Sequence, residues 1–292
     1  MSALAIAFVL ISALCHAVRS LFTKESGDKQ IFLWLYSIFA LLFFSPLFFY
    51  FLYRVGITQP VAYAWCFGSG FIHFLYWLCL TQSYKDGDLS HVYPIMRSSP
   101  ALVLVIAVLF LGEQVSSQGV CGILLVAIGV YIINLKRISA EELLDPIKSI
   151  AHDRSTRFAF LTLLSVAFYS IVDKMAVNFI HPILFTFIHL LCGMCYYTPY
   201  ILLTKNNEMI KQEWNSGLSR IIASGVIGIV GYMLILVAFT IERVSYIVGL
   251  RQTSIVFAVL MGSHFLKEKH QGIRLAGSLI ILAGGFLISL AK

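Results

Sequence analysis

Ten apolar runs occupy almost the whole chain: 2–22, 31–53, 60–83, 90–111, 117–134, 157–178, 182–204, 217–240, 245–265 and 271–290. Each is close to the roughly 20 residues that a helix needs to cross the hydrocarbon of a bilayer. Polar or turn-forming residues divide them, among them Ser26-Gly27-Asp28, Asp86-Gly87-Asp88, Gly112-Glu113, Lys205-Asn206-Asn207 and Lys267-Glu268. The weakest break is 178–182, where only Asn178, His181 and Pro182 interrupt the run. Backbone in lipid must satisfy its own hydrogen bonds, so runs of this length form helices. The pattern predicts an all-α, multi-pass protein of the cell (inner) membrane. Composition agrees, with 59% hydrophobic and 12% charged residues, where a soluble domain carries about a quarter charged. The first run lacks a basic leader and is expected to be retained as a helix. All six cysteines, the pair Cys192 and Cys195 included, lie in apolar runs and read as packing residues.

The charged stretch 135–156 divides the chain into a first half, 1–134, and a second, 157–292. A constant offset lays one half on the other. It brings Gly70 onto Gly225, Trp77 onto Tyr232, Ser90 onto Ser245, Glu113 onto Glu268, Gly122 onto Gly277 and Gly129 onto Gly284. With one residue deleted, Arg97 falls on Arg251. Each half holds five helices, an odd number, so the halves must cross the membrane in opposite senses. Inverted repeats of this kind serve alternating access, with the solute near midplane at the repeat interface. The expected architecture is therefore ten helices in two inverted five-helix repeats around a central cavity.

Lys and Arg concentrate in the loops that follow odd-numbered helices, and only Arg54, Arg243 and Lys292 lie on the other side. The positive-inside rule then puts both termini outside. The net charge of +7 comes from these short loops. No nucleic-acid partner is expected, because no basic domain or recognition motif accompanies it.

Two segments carry a family resemblance. Asp-Leu-Ser-His-Val-Tyr-Pro-Ile-Met-Arg (88–97) runs into Leu-Gly-Glu (111–113), and Val-Ser-Tyr-Ile-Val-Gly-Leu-Arg (244–251) runs into Leu-Lys-Glu (266–268). A glycine-rich final helix follows each. In these the chain resembles the drug/metabolite transporter superfamily, EamA-domain ten-helix type, over both halves. Arg97, Arg251 and Asp173-Lys174 are similar to a subgroup associated with phosphonate use. Cys15-His16 stands where the family pattern has Trp-Gly. The resemblance implies cytoplasmic termini, opposite to the Lys and Arg count.

Charges inside a span cost roughly 2.5–3.5 kcal/mol each on insertion scales and call for a reason. Five occur: Arg19, Arg97, Asp173, Lys174 and Arg251. Arg97 and Arg251 lie about 10 Å into helices that enter from opposite faces. Two guanidinium groups in one cavity suit a carboxylate, phosphate or phosphonate. The alternative for each is snorkelling or bonding to local carbonyls. Pro94 and Gly249 precede them and are candidate hinges. Asp173 is the one carboxylate inside a span, a candidate for a coupling proton or for a structural ion pair. Arg19 is expected near the opposite face from it. His16, His73, Tyr93 and Tyr169 are mid-span candidates for solute contact, together with Trp77 and Tyr232 at matching repeat positions. Glu113 and Glu268 are expected to cap the next helix or to neutralise nearby Lys.

These residues predict a secondary transporter of a small polar metabolite, anionic or zwitterionic, such as an amino acid or a phosphonate-like solute. No enzyme activity, metal or cofactor is expected, since no Walker A pattern or paired-carboxylate motif is present. The partners are the solute and the lipid bilayer, with protons as a candidate coupling ion and a monomer or homodimer as the assembly. The rival readings are a membrane-embedded lipid-modifying enzyme and a scramblase or channel.

Overall fold

The computed structural model describes residues 1–86, 95–133, 153–266 and 271–291. Its elements are α1 (Ala3–Glu25), α2 (Lys29–Arg54), α3 (Val61–Asp86), α4 (Ser99–Leu111), α5 (Ser117–Ile133), α6 (Arg154–Ala176), α7 (Pro182–Thr204), α8 (Asn207–Ile241), α9 (Val244–Arg251), α10 (Thr253–Leu266) and α11 (Gln271–Leu290). Helices α9 and α10 together make the ninth span. Eight spans are long and apolar enough to cross a membrane, and Ile95–Leu111 and Ser117–Ile133 are shorter apolar helices. The chain is an all-helical, ten-span membrane protein.

Polar caps start these helices where the sequence breaks its apolar runs. Asp28 accepts from the N–H groups of Gln30 and Ile31 at the start of α2. Asp153 accepts from Thr156 N–H at 2.7 Å at the start of α6, and Asn206 from Met209 N–H at 2.8 Å at the start of α8. This last cap extends the eighth helix ten residues ahead of its apolar run, which begins at 217. The extension holds because Glu213 is buried and accepts from Asp28 N–H at 2.9 Å. Gly27 leaves room for it, since a Cβ there would stand 2.9 Å from Glu213 Oε2.

Contacts among the loops agree with strict alternation across the membrane. On one face, Lys205 Nζ donates to Asp28 Oδ2 at 2.5 Å and Arg220 pairs with Glu25 at 3.1 Å. On the other, the Met1 amine donates to the carbonyls of Ser289 and Ala291 at the end of α11. Ser2 N–H there donates to Glu242. Termini that meet on one face require an even number of crossings.

The two halves are related by an approximate twofold axis, and glycines mark it. Gly122 on α5 packs against Gly284 on α11, and Gly129 against Gly277. These are the same two pairs with the halves exchanged. A Cβ on Gly122 or Gly129 would meet the facing glycine's carbonyl oxygen at 2.8 Å. The backbones therefore touch directly, as small residues permit in membranes. Gly70 on α3 packs on Cys192 and Gly193 of α7, while its counterpart Gly225 on α8 packs on Tyr36 and Ala40 of α2. Helix α3 lies along α6 just as α8 lies along α1. A five-helix repeat has exchanged its third helix with its partner, in inverted sense. Large apolar side chains such as Phe43, Phe49, Leu109, Phe110, Leu203 and Phe286 face outward, as a lipid-facing girth requires.

Two outcomes follow. Gly122→Ala must push apart two backbones and should cost ~1–3 kcal/mol, read as a lower melting temperature in detergent; Gly68→Ala, with open space at its Cβ, should leave the temperature unchanged. The Asp28 carboxyl is pushed up by burial, but the Lys205 ammonium and the N–H groups of Ile31 and Gln30 outweigh that and hold it below its ordinary value. A depressed carboxyl stabilises the fold above the unfolded pKa and loses that contribution as pH falls through the folded one. Melting temperature should therefore drop more steeply below about pH 4 in the native protein than in Asp28→Asn.

Candidate functional site

Helices α3, α6 and α8 meet around Asp173, which has no solvent exposure. Ser69 Oγ on α3 donates to Asp173 Oδ1 at 2.5 Å. The Tyr232 hydroxyl on α8 donates to Oδ2. His73 stands one turn along α3 from Ser69. Its Nδ1 faces the Ser69 carbonyl at 2.9 Å and so carries the proton. That leaves Nε2 facing the Tyr232 hydroxyl at 3.1 Å and Asp173 Oδ2 at 4.0 Å. His189 on α7 is held likewise, Nδ1 to the Phe185 carbonyl at 2.8 Å, its ring centre 5.1 Å from both His73 and Tyr232. Tyr169, one turn before Asp173, stacks on His73 at 4.2 Å.

A cavity of about 20 Å³ adjoins this cluster, lined by Cys15, His16 and Arg19 of α1, Gly228 and Tyr232 of α8, and Arg251 of α9. Small residues on α8 bring α1 in: a Cβ on Gly231 would stand 2.9 Å from Cys15 Cβ, and one on Gly228 3.2 Å from Arg19 Cδ. The Arg19 guanidinium lies over the Tyr36 ring at 5.6 Å, and that of Arg251 over Tyr232 at 5.8 Å. Charges of Arg19, Arg97 and Arg251 all act on the His16 ring, and those of Arg97 and Arg251 on the Tyr169 hydroxyl. Arginines from both halves thus converge on one space. Among the described residues, no carboxylate lies within 4.0 Å of Arg19 or Arg251.

The fourth and ninth spans break in the same place. Residues 95–97 are helical, Ser98 is a turn, and α4 starts at Ser99. The α9 helix ends at Arg251, Gln252 is a turn, and α10 starts at Thr253. At both breaks the helix tightens: Ser98 N–H donates to Ile95 O and Gln252 N–H to Gly249 O, each at 3.2 Å. Pro100, which lacks an N–H, explains the first break. Each arginine therefore immediately precedes the N-terminus of a half-helix, the end that favours anions.

The expected residues are not all in one place. His16, Tyr232 and Arg251 line the cavity, and His73, Tyr169 and Asp173 form the polar cluster behind it. Arg97 reaches the same groups through its charge. Trp77 does not line the cavity: it is buried, packed on Gly193 and Tyr197, with its ring edge-on to His73 at 6.5 Å. Gly249 is a close-packing point, 2.9 Å from Ile288 at its Cβ position, and the break in its span comes three residues later. Tyr93, Pro94 and Glu268 lie outside the described residues. Ser69, His189 and Arg19 belong to the site but were not among the expected solute contacts. Arg19 had a signal, a charge in an apolar run. The sequence places Arg19 near the opposite face from Asp173, and among the described residues no carboxylate lies within 4.0 Å of it. A serine or histidine in a hydrophobic helix looks the same in sequence whether it packs or bonds to a carboxylate.

Two charges beside the site have structural work. Lys174 points away from Asp173 and donates to the Phe239 and Glu242 carbonyls at the end of α8. Glu113 caps not the next helix but α9 in the other half, accepting from Val244 N–H at 2.6 Å and the Ser245 hydroxyl at 2.7 Å. Removing that cap by Glu113→Ala leaves those donors without the carboxylate and should cost ~1–3 kcal/mol. Denaturation in detergent will show this as a drop in melting temperature, larger than that of Glu113→Gln.

The profile of the EamA-like transporter family matches residues 3–135 and 156–290. No curated protein matches the chain. A solved crystal structure resembles it with a TM-score of 0.74 over 99% of this chain and 98% of its own, at 16% sequence identity, a likeness of fold.

Proposed function

Since the chain belongs to the EamA-like transporter family, we propose that it is a secondary carrier of a small anionic or zwitterionic metabolite, working by alternating access. The observation that carries the anion assignment is the convergence of Arg251, Arg19 and His16 on one cavity, with the charge of Arg97 reaching the same ring. The guanidinium groups of Arg19 and Arg251, with no carboxylate within 4.0 Å among the described residues, favour an arriving anion in low dielectric. The half-helix N-termini of α4 and α10 add positive dipole ends beside both arginines. A carboxylate, phosphate or phosphonate head fits this set. Tyr232, Tyr169 and His16 supply hydroxyl and ring contacts for the remainder of the solute.

The cavity of about 20 Å³ has room for little more than a water, far below the ~300–1,000 Å³ of ordinary small-molecule sites. It is the size of a closed site that widens as the halves, 1–134 and 157–292, rock about their shared glycine contact. The Glu113 cap on α9 links the two halves on the face that carries the termini. Opening toward that face requires the link to loosen.

The test is uptake into proteoliposomes from a panel of carboxylates, inorganic phosphate, phosphonates, amino acids and nucleobases. One anionic or zwitterionic class should enter. Arg251→Ala and Arg97→Ala should each cut that flux about tenfold or more, the loss of one charge-assisted hydrogen bond of ~1.5–3 kcal/mol, with unchanged elution in gel filtration. Transport of the same solute at the native rate by both variants overturns the anion site.

A further inference from the structure

Two donors and three acceptors meet at Asp173. The Ser69 hydroxyl is committed to Oδ1 at 2.5 Å. The Tyr232 hydroxyl donates to Oδ2 and also lies 3.1 Å from His73 Nε2. It has one proton to give. His73 cannot turn to supply another, because its Nδ1 proton is spent on the Ser69 carbonyl at 2.9 Å. With Asp173 ionised, Oδ2 and Nε2 compete for one hydrogen, and the loser is a buried acceptor left unmatched, a costly arrangement in low dielectric.

One added proton completes the set. Placed on Oδ2, it donates to the Tyr232 oxygen, and the Tyr232 hydroxyl turns to His73 Nε2. Ser69 still serves Oδ1. Every polar atom in the cluster then has a partner. Water in the cavity that Tyr232 lines can deliver the proton and take it away.

We infer that Asp173 is the proton-coupling site of the carrier, loaded on Oδ2 beside the Tyr232–His73 pair, and that the proton and the anion bind together. The second half rests on the anion reading above. Asp173 is the carboxylate on which the charge of Arg251 acts. Ionised, it offsets part of that charge; protonated, it leaves Arg251 with a full positive charge for an anion. An anion in turn draws the proton in, since coupling of two ligands is reciprocal.

The other groups around Asp173 do not take over this role. From its own helix, Tyr169 stacks on His73, and Lys174 bonds to the end of α8. Cys66 of α3 feels the Asp173 charge. His189 of α7 reaches the cluster only through ring contacts with His73 and Tyr232. Arg97, ahead of α4, reaches Tyr169. Guanidinium groups stay protonated, so Asp173 is the acid near Arg251 whose charge can change.

The experiment has two arms. Infrared difference spectra of the carrier in liposomes, titrated by pH with no solute present, should contain among the carboxylic C=O bands one that Asp173→Asn removes. Tyr232→Phe should move the midpoint of that band. A titration in which Asp173→Asn removes no C=O band overturns the site. In the second arm, whichever panel anion is transported is presented with a one-unit pH gradient at clamped membrane potential. One accompanying proton supports about tenfold more accumulation. The native carrier should show that gain, and Asp173→Asn, monodisperse in gel filtration, should transport without it. Anion uptake indifferent to the gradient overturns the coupling while the anion reading stands. If no panel anion is transported, the anion reading fails, and the infrared arm still decides whether Asp173 takes the proton.

Discussion

Hydrocarbon offers neither hydrogen bonds nor counter-ions, so each charge in the spans must find partners within the protein or from the solute. Asp173 meets this demand with a serine and a tyrosine from two other helices, α3 and α8. Lys174 meets it with the open carbonyls at the end of α8. Glu113, at the membrane edge, meets it with the open N–H groups of α9. Each of these ties together helices far apart in sequence. The arginines are treated differently. Arg19 and Arg251 rest against aromatic rings, a weak partner for a full charge. The deficit is concentrated at one cavity, which is where the proposed carriage of an anion would need it.

The inverted repeat places that deficit at the centre. Because Gly122 meets Gly284 while Gly129 meets Gly277, the two halves share an axis at which neither is privileged. Breaks immediately follow Arg97 and Arg251, one in each half. The halves are not equal in detail. The acid is on α6 alone, because its counterpart in α1 by the repeat offset is Val18. A symmetric scaffold with one acid is what the proposed single protonation site would require. The direct backbone contact at the glycines is compact and nearly free of side chains, a suitable pivot for rigid-body rocking of the kind that alternating access uses.

What the sequence determined by itself was everything that depends on local spacing. Run length against bilayer thickness set the ten spans, and polar breaks set their ends. An odd number of helices per half forced inversion, and recurring glycines aligned the two final helices, though the glycines that touch are not the aligned ones. The presence of five charges in apolar runs identified where function had to be sought. Side-chain partnerships were not legible, because they join residues distant in the chain, 59 positions apart for Asp173 and Tyr232 and 131 for Glu113 and Val244, and depend on helix rotation. Nothing in the order of residues says that Ser69 and Tyr232 should both turn towards Asp173, or that Arg19 should reach the cavity of Arg251. Nor does it say that Glu113 should cap a helix of the other half, or that Trp77 should be buried away from its repeat partner Tyr232. A helix can present a residue to lipid, to a neighbour or to a cavity with the same sequence around it. Only the packing of all ten spans selects among these, by requiring that each buried polar group find its match.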